Sequence, residues 1–133
     1  MTATEVARLF VDAINSGNPD RLSELMTKDH VFVDSDGSEH CGREQMRDGW
    51  KSYFSMVPDF RIHVEDTFAR DNTVVLLGVA EGTFDQNGAL KPENHWVVPA
   101  AWRLVVEAGL VAVWQLYVNP EPMVEISKRI EAG

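Results

Sequence analysis

The spacing of apolar residues changes partway along this 133-residue chain, and that change constrains the fold more than any other feature. Up to residue 57, apolar side chains recur at intervals of three and four, the period of helices buried on one face. From residue 60 onward they alternate or run together, as they do in strands. Helices grouped before strands predict an α+β fold, in which the helices cover one face of a curved antiparallel sheet.

The first half contains three predicted helices and one short strand. The first helix carries its apolar face over residues 6–14. The second helix is predicted to begin at the cap and proline of residues 18–19 and to end near residue 28. Residues 31–33 predict a strand that ends in the acidic turn 34–37. The third helix, residues 42–57, has an aromatic inner face and stops before a proline.

The second half predicts a meander of four strands and a short final helix. The strands cover residues 60–64, 73–83, 95–106 and 110–118. The first of them alternates and is expected to be half-exposed, whereas the second is apolar at both parities and is expected to be covered on both faces. The final helix is predicted at residues 124–130.

Charge and cysteine content narrow the partners. Twelve basic against 21 acidic residues give a net charge of −9, the wrong sign for nucleic acid or an anionic membrane. The single cysteine, Cys41, excludes an internal disulfide, and the four scattered histidines build no zinc site around it. We therefore expect a soluble, cytoplasmic protein with no cofactor and no metal.

The large aromatic residues fall on one side of the predicted sheet and helix. Trp96 and Trp102 share a parity on one strand, and Trp114 faces the same way on the next strand. Together with Trp50 and Phe54 they could hold a flat apolar ligand, or they could meet and leave no cavity. Both outcomes stay open at the sequence level.

Asp34 is the acid whose position suggests chemistry. It follows Phe32 by two positions, so it would share that side of the strand and could act as a general base inside an apolar site. Alternatively, residues 34–37 form an Asx-type turn in which Asp34 bonds backbone donors. Cys41 beside His40 suggests a nucleophile only weakly, because no third group is placed to orient the histidine.

The chain resembles the SnoaL-like branch of the nuclear-transport-factor-2-like superfamily. The segments that carry the resemblance are residues 42–47 (GREQMR), 58–60 (PDF), 82–84 (GTF) and 109–120 (GLVAVWQLYVNP). The resemblance implies one SnoaL-like domain over residues 1–133: a cone-shaped curved antiparallel sheet wrapped around three N-terminal helices, enclosing a pocket. Such proteins are commonly dimeric through the outer sheet face.

Two enzymatic branches of that superfamily are disfavoured by residue type. In ketosteroid isomerases a base at the position of Asp34 works with two oxyanion donors, but Phe10 and Ala100 stand where those donors would be. In limonene epoxide hydrolase two acids flank an arginine, and Leu116 and Ala100 occupy the acid positions. An activity of the isomerase, lyase or cyclase kind with Asp34 as catalytic residue remains, beside a non-catalytic ligand-binding or accessory dimerisation module.

The expected ligand is therefore a small hydrophobic or planar molecule. The residues expected to contact it are Phe10, Trp50, Phe54, Trp96, Trp102 and Trp114. The outward parity of the late strands is mostly apolar as well, which predicts a homodimer through the outer sheet face. The residues of that parity are Val97, Pro99, Ala101, Val105, Val113 and Tyr117.

Overall fold

The computed structural model describes residues 1–133 and contains four α-helices and six strands. In chain order these are α1 (Ala3–Asn15), α2 (Pro19–Glu24), β1 (Met26–Val33), β2 (Glu39–Cys41), α3 (Arg43–Met56), β3 (Arg61–Arg70), β4 (Thr73–Thr83), β5 (His95–Glu107), β6 (Leu110–Val118) and α4 (Glu121–Ala132). A short 3-10 turn, Pro92–Asn94, precedes β5. No helix is both long and apolar enough to cross a bilayer.

Local polar groups fix where α1 begins and ends. A capping box joins Thr2 and Glu5, whose side chains accept hydrogen bonds from each other's backbone N–H groups at 3.1 and 3.0 Å. At the other end, the Asn15 amide donates to the carbonyl of Ile62 and accepts from its N–H, at 3.0 and 2.8 Å. Asn15 therefore ends the helix and also ties it to β3.

The six strands form one curved, unclosed sheet in the order β2-β1-β6-β5-β4-β3. The predicted α+β class and cone-shaped architecture are confirmed. Four of the five strand pairs are antiparallel, but β1 and β6 run parallel, which the order of elements did not suggest. The reason is that α3 carries the chain to the far edge, and the meander returns β6 to the side of β1 in the same direction.

The main core lies between α1 and the concave face of the sheet. Its fully buried members include Phe10 and Ile14 from α1 and Leu104 and Trp114 from the sheet. Burying side chains of this size contributes about 1.5–3 kcal/mol each relative to exposure. The helix therefore seals the narrow end of the cone and leaves the wide end to α3 and α4.

β3 extends to Arg70, past its predicted end at residue 64, and two further differences concern the chain on either side of β1. The second helix ends at Glu24 and not near Lys28, because the chain from Met26 onward pairs with β6 and is drawn into β1. The segment around His40, for which the sequence predicted no strand, forms β2, which pairs antiparallel with the end of β1. Both differences come from pairing with residues distant in sequence.

Coverage of β3 and β4 also differs from the prediction. Only one parity of β4 is well buried, and Leu77 on the other parity is 39% exposed, so the strand is not covered on both faces in one protomer. A bulge between Val64 and Asp66 shifts the register of β3. As a result Phe68 lies opposite Val75 on the outer face and is 59% exposed.

Candidate active site

The wide end of the cone holds a cavity of about 430 Å³ lined by eighteen residues, fourteen of them hydrophobic. Its walls are α3, Met123 in the first turn of α4, the end of β1 with β2, and inward-facing residues of β3 to β6. This volume lies within the range of small-molecule sites, about 300–1,000 Å³. The aromatic residues therefore surround open space and do not close over one another.

Two tryptophans form the inner wall. Trp102 on β5 and Trp114 on β6 stack with ring centroids 6.1 Å apart and planes inclined by 24°. Trp114 also contacts the ring of Phe10 from α1 at 5.0 Å. Both tryptophans line the cavity but are only 2% exposed, so most of each ring is packed against other protein atoms.

Four more aromatic residues form a second wall. Trp50 lies 6.2 Å from Tyr53, Tyr53 lies 5.1 Å from Phe60, and Phe60 lies 5.9 Å from Trp96, measured between ring centroids. The first two pairs are nearly perpendicular, at 89° and 85°, an edge-to-face arrangement that aromatic rings favour. Trp50 and Tyr53 reach the cavity together because a spacing of three places them on one side of α3.

The polar lining is confined to one side. Asp34, His40 and Gln45 are the polar side chains there besides the Tyr53 hydroxyl, and all come from residues 34–53. Asp34 directly follows β1, His40 lies in β2 and Gln45 in the first turn of α3. The site therefore has an apolar interior and a polar rim, the arrangement that orients a ligand with one polar end.

Asp34 takes part in both arrangements that the sequence left open. Its Oδ1 accepts a hydrogen bond from the backbone N–H of Ser35 at 2.7 Å, and its carbonyl oxygen accepts from Gly37 N at 2.8 Å. These bonds make the turn expected from residues 34–37. The same carboxylate also lines the cavity, because turn formation engages Oδ1 from one side only.

Tyr53 lines the cavity together with Asp34 and lies within the range of its charge. Burial raises the pKa of the Tyr53 phenol well above its usual value, and the negative charge of Asp34 raises it further. The phenol is therefore held in its protonated form. A carboxylate that accepts protons and a hydroxyl that donates hydrogen bonds thus face one cavity.

The structure separates the residues that the sequence grouped as ligand contacts. Asp34, Trp50, Trp96, Trp102 and Trp114 line the cavity. Phe10 and Phe54 do not. Phe10 is fully buried behind Trp114, since α1 seals the narrow end of the cone, and Phe54 packs beside Trp50 at 5.4 Å.

The structure also places side chains that sequence reasoning left out of the site. Tyr53, Phe60 and Gln45 line the cavity, although the helical spacing of Tyr53 from Trp50 was the available signal for it. His40 lines the cavity while Cys41 is exposed and outside it, because adjacent strand residues point to opposite faces. The imidazole of His40 also stacks on the ring of Phe32, with the ring centroids 5.9 Å apart.

Two buried ring nitrogens make no hydrogen bond within the protein, Nε2 of His30 and Nε1 of Trp96. His30 is fully buried in β1, and its Nδ1–H donates to the carbonyl of Val111 at 2.7 Å. Burial lowers the pKa of His30, and the bond to Val111 opposes this only in part. His30 therefore stays neutral inside the core at neutral pH.

A second polar cluster lies on the outer face of the sheet, away from the cavity. Glu81 accepts from His63 Nε2 at 2.6 Å and contacts His95 Nε2 at 3.4 Å. The hydrogen bond from His63 lowers the pKa of Glu81, and the charges of both histidines lower it further. No group of three or more His, Cys, Asp or Glu side chains is placed to hold a metal ion.

Known proteins share this architecture. The family model for the SnoaL-like domain matches residues 7–114. No curated protein matches the chain.

Among solved structures, a protein with a ketosteroid isomerase-like fold from Catenulispora acidiphila, in complex with trimethylamine, is 24% identical with a TM-score of 0.77, covering 96% of this chain and 95% of its own. A candidate polyketide cyclase from Xanthomonas campestris is 18% identical with a TM-score of 0.80, and the match covers 93% of this chain and 96% of that protein. AclR, a candidate hydroxylase from Streptomyces galilaeus, is 17% identical with a TM-score of 0.75, and the match covers 95% of this chain and 81% of AclR. At these identities the likeness shows the fold alone.

Proposed function

The chain belongs to the SnoaL-like domain family, and from that premise we propose that it binds a small, flat, mainly apolar molecule in the cavity of the cone. One observation carries the proposal: fourteen of the eighteen residues that line a cavity of about 430 Å³ are hydrophobic, and the few polar side chains other than indole N–H groups all come from residues 34–53. A ligand would place its apolar body on Trp102 and Trp114 and its polar end at Asp34 and Tyr53. The trimethylamine bound by the Catenulispora protein supports small-molecule binding on this fold.

The rim supports proton-transfer chemistry on a bound carbonyl compound. In the proposed step, the carboxylate of Asp34 takes a proton from the carbon beside the carbonyl, and the C–H electron pair moves into an enolate. The Tyr53 hydroxyl donates a hydrogen bond to the enolate oxygen. Asp34 then returns the proton to another carbon, which isomerises the ligand. Alternatively, the enolate carbon attacks a second carbonyl of the same ligand, the C=O π electrons move to its oxygen, and the resulting alkoxide takes the proton back from Asp34, which closes a ring.

Tyr53 supplies a donor that the sequence comparison did not find. Phe10 and Ala100 lack the donor groups of ketosteroid isomerases, and a missing oxyanion donor costs about 10²–10³ in rate. Tyr53 approaches from α3, so it would stabilise the enolate from a different side of the cavity. This difference favours a substrate orientation unlike that of a steroid isomerase.

A non-catalytic binding module is the second candidate, and the turn at Asp34 favours it. The backbone N–H of Ser35 already donates to Oδ1 at 2.7 Å. That bond occupies one of the two carboxylate oxygens in holding the turn. In this case Asp34 orients the ligand and shapes the rim without exchanging protons.

Proton exchange separates the two candidates. 1-Indanone, a flat monoketone whose α-hydrogens exchange slowly on their own at neutral pH, is incubated with the protein in D₂O, and deuterium entry at the carbon beside the carbonyl is followed by NMR against a protein-free sample. Enzymatic proton transfer predicts exchange above that background, lost in Asp34→Asn and kept in Asp36→Asn, an exposed acid of the same turn. Binding of the ketone without added exchange would assign the non-catalytic role.

The outer sheet face supports a homodimer. Leu77, Val97 and Tyr117 are 39%, 57% and 51% exposed. Leu77 and Tyr117 both pair with Ala101, so these three residues lie in one row across β4, β5 and β6. Exposed apolar residues side by side on a sheet are typical of an interface. We propose that a second copy of the chain covers this row.

A further inference from the structure

Resting on the proposed ligand-binding function, we infer that the ligand carries a tertiary or quaternary alkylammonium group, held between Asp34 and the aromatic wall of α3.

The charges around the cavity favour a cation. The lining residues include one carboxylate, Asp34, and no lysine or arginine. The chain as a whole carries a net charge of −9, so the long-range field also attracts cations and repels anions. The raised pKa of Tyr53 keeps that phenol neutral and able to lie beside either charge. An anionic ligand would meet Asp34, and the imidazole of His40 is the one lining side chain that could carry a compensating charge.

The aromatic wall supplies the second half of a cation site. Trp50, Tyr53 and Phe60 lie within 6.4 Å of one another between ring centroids, with planes turned by 43° to 89°. Because their planes are inclined to one another, the three rings present both π faces and edges to the same volume. An ammonium group beside π faces is attracted by the ring quadrupole, most strongly by tryptophan.

The scarcity of acceptors favours an alkylated amine over a primary one. A primary ammonium has three N–H donors, and each needs an acceptor when water is removed. The rim offers the carboxylate of Asp34, whose Oδ1 already accepts from Ser35, and the amide oxygen of Gln45. A tertiary ammonium needs one acceptor and a quaternary one needs none, and their methyl groups pack on aromatic rings.

Three probes that share one ring system test the inference: 2-naphthylmethyl-trimethylammonium, 2-naphthylmethanol and 2-naphthylacetate. Binding is measured by calorimetry at pH 8, where an ordinary imidazole is mostly neutral. The expected result is that the cation binds about tenfold more tightly than the alcohol, since one cation–π or charge contact is worth about that factor. The acetate is expected to bind most weakly.

Matched variants assign the preference to its source. Asp34→Asn keeps the oxygen that Ser35 bonds and should remove most of the cation-to-alcohol ratio, whereas Asp36→Asn changes the net charge equally and should keep it. Trp50→Leu keeps apolar bulk but removes a π face, so it should lower the ratio independently of Asp34. Circular dichroism checks that each variant is folded.

The failures are distinguishable. Equal or tighter binding of the alcohol or the acetate, or an equal loss in Asp36→Asn, would overturn the ammonium assignment while leaving the proposed ligand-binding function standing. Absence of binding by all three probes to the folded wild type would overturn both.

Discussion

Tyr53 and Asp34 line one cavity from different elements, and the Asp34 carboxylate adds to burial in raising the pKa of the Tyr53 phenol. The two residues are nineteen positions apart in a turn and a helix. In the proposed function they supply an acceptor and a donor for the polar end of a ligand.

Tyr53→Phe tests the donor. It should weaken binding of a flat ketone about three- to tenfold, since one hydrogen bond contributes about 0.5–1.5 kcal/mol. Binding of the parent hydrocarbon should change little, because the ring remains. Tyr117→Phe is the control, since that tyrosine is 51% exposed on the outer face. Calorimetry on both variants checks it, and equal losses for ketone and hydrocarbon would show that Tyr53 acts by packing alone.

His30 predicts a loss of stability in mild acid. Its pKa is lowered from 6.5 in the folded protein, so between that lowered value and 6.5 the unfolded chain binds more protons. The free energy of unfolding should therefore fall as pH drops through this window. His30→Gln, which can still donate to Val111, should flatten the dependence. Urea unfolding between pH 5 and 7.5 measures it, and an unchanged slope in the variant would assign the effect elsewhere.

Glu81 acts in a lower window and can be separated. Its pKa is lowered from 4.5, so its contribution is present above 4.5 and is lost as pH falls through the lowered folded value. Glu81→Gln should lower the free energy of unfolding by a nearly constant amount above about pH 4.5 and change its slope with pH only below that value, so the slope in the His30 window stays unchanged. Because the Glu81 side chain is 30% exposed to solvent, the effect should be small and should shrink at high salt.

Glycine positions predict opposite effects on stability. A Cβ at Gly82 would lie 2.4 Å from Val57 Cγ1, and one at Gly78 would lie 1.9 Å from the carbonyl oxygen of His63. Both alanine variants should therefore be destabilised by about 1–3 kcal/mol or more, with Gly78 worse because backbone cannot move aside. Gly49→Ala meets nothing closer than 3.8 Å in mid-helix and should stabilise by about 0.5–1 kcal/mol. Urea unfolding of the three variants checks the order.

A charge on the outer face tests the homodimer. Val97→Glu should convert a dimer of twice 14.9 kDa into a monomer, because a buried unpaired carboxylate is costly at an interface. Glu65→Gln, at an exposed position of the edge strand β3, is a control expected to stay dimeric. Sedimentation measures both, and a monomeric wild type would refute the proposed dimer.

The sequence predicts the fold well because the periods of its apolar residues are local. Trp96, Trp102 and Trp114 could be assigned to one face from parity alone, and the strand limits at His95 and Leu110 agree with the structure. The end of α2 and the existence of β2 could not be predicted, since both depend on pairing with distant strands.

The site was less predictable than the fold. Asp34 could be singled out, but its partner Tyr53 lies on α3, and only the packing of that helix over the cone brings the two together. Phe10, which stands where a ketosteroid isomerase has an oxyanion donor, was expected at the ligand. Which end of the cone it seals depends on how α1 docks, and sequence spacing carries no information on that.

Occupation of the cavity by a flat apolar molecule is the central claim, and one titration tests it. N-phenyl-1-naphthylamine, a neutral probe that fluoresces in apolar surroundings, is titrated into wild type, Ala80→Leu and Ala69→Leu. Ala80 lines the cavity and is 5% exposed, whereas Ala69 is exposed on β3. We expect wild type and Ala69→Leu to bind equally and Ala80→Leu to bind at least about tenfold more weakly, since the added carbons fill the probe's place. No binding by wild type, or equal binding by a folded Ala80→Leu, would contradict the account.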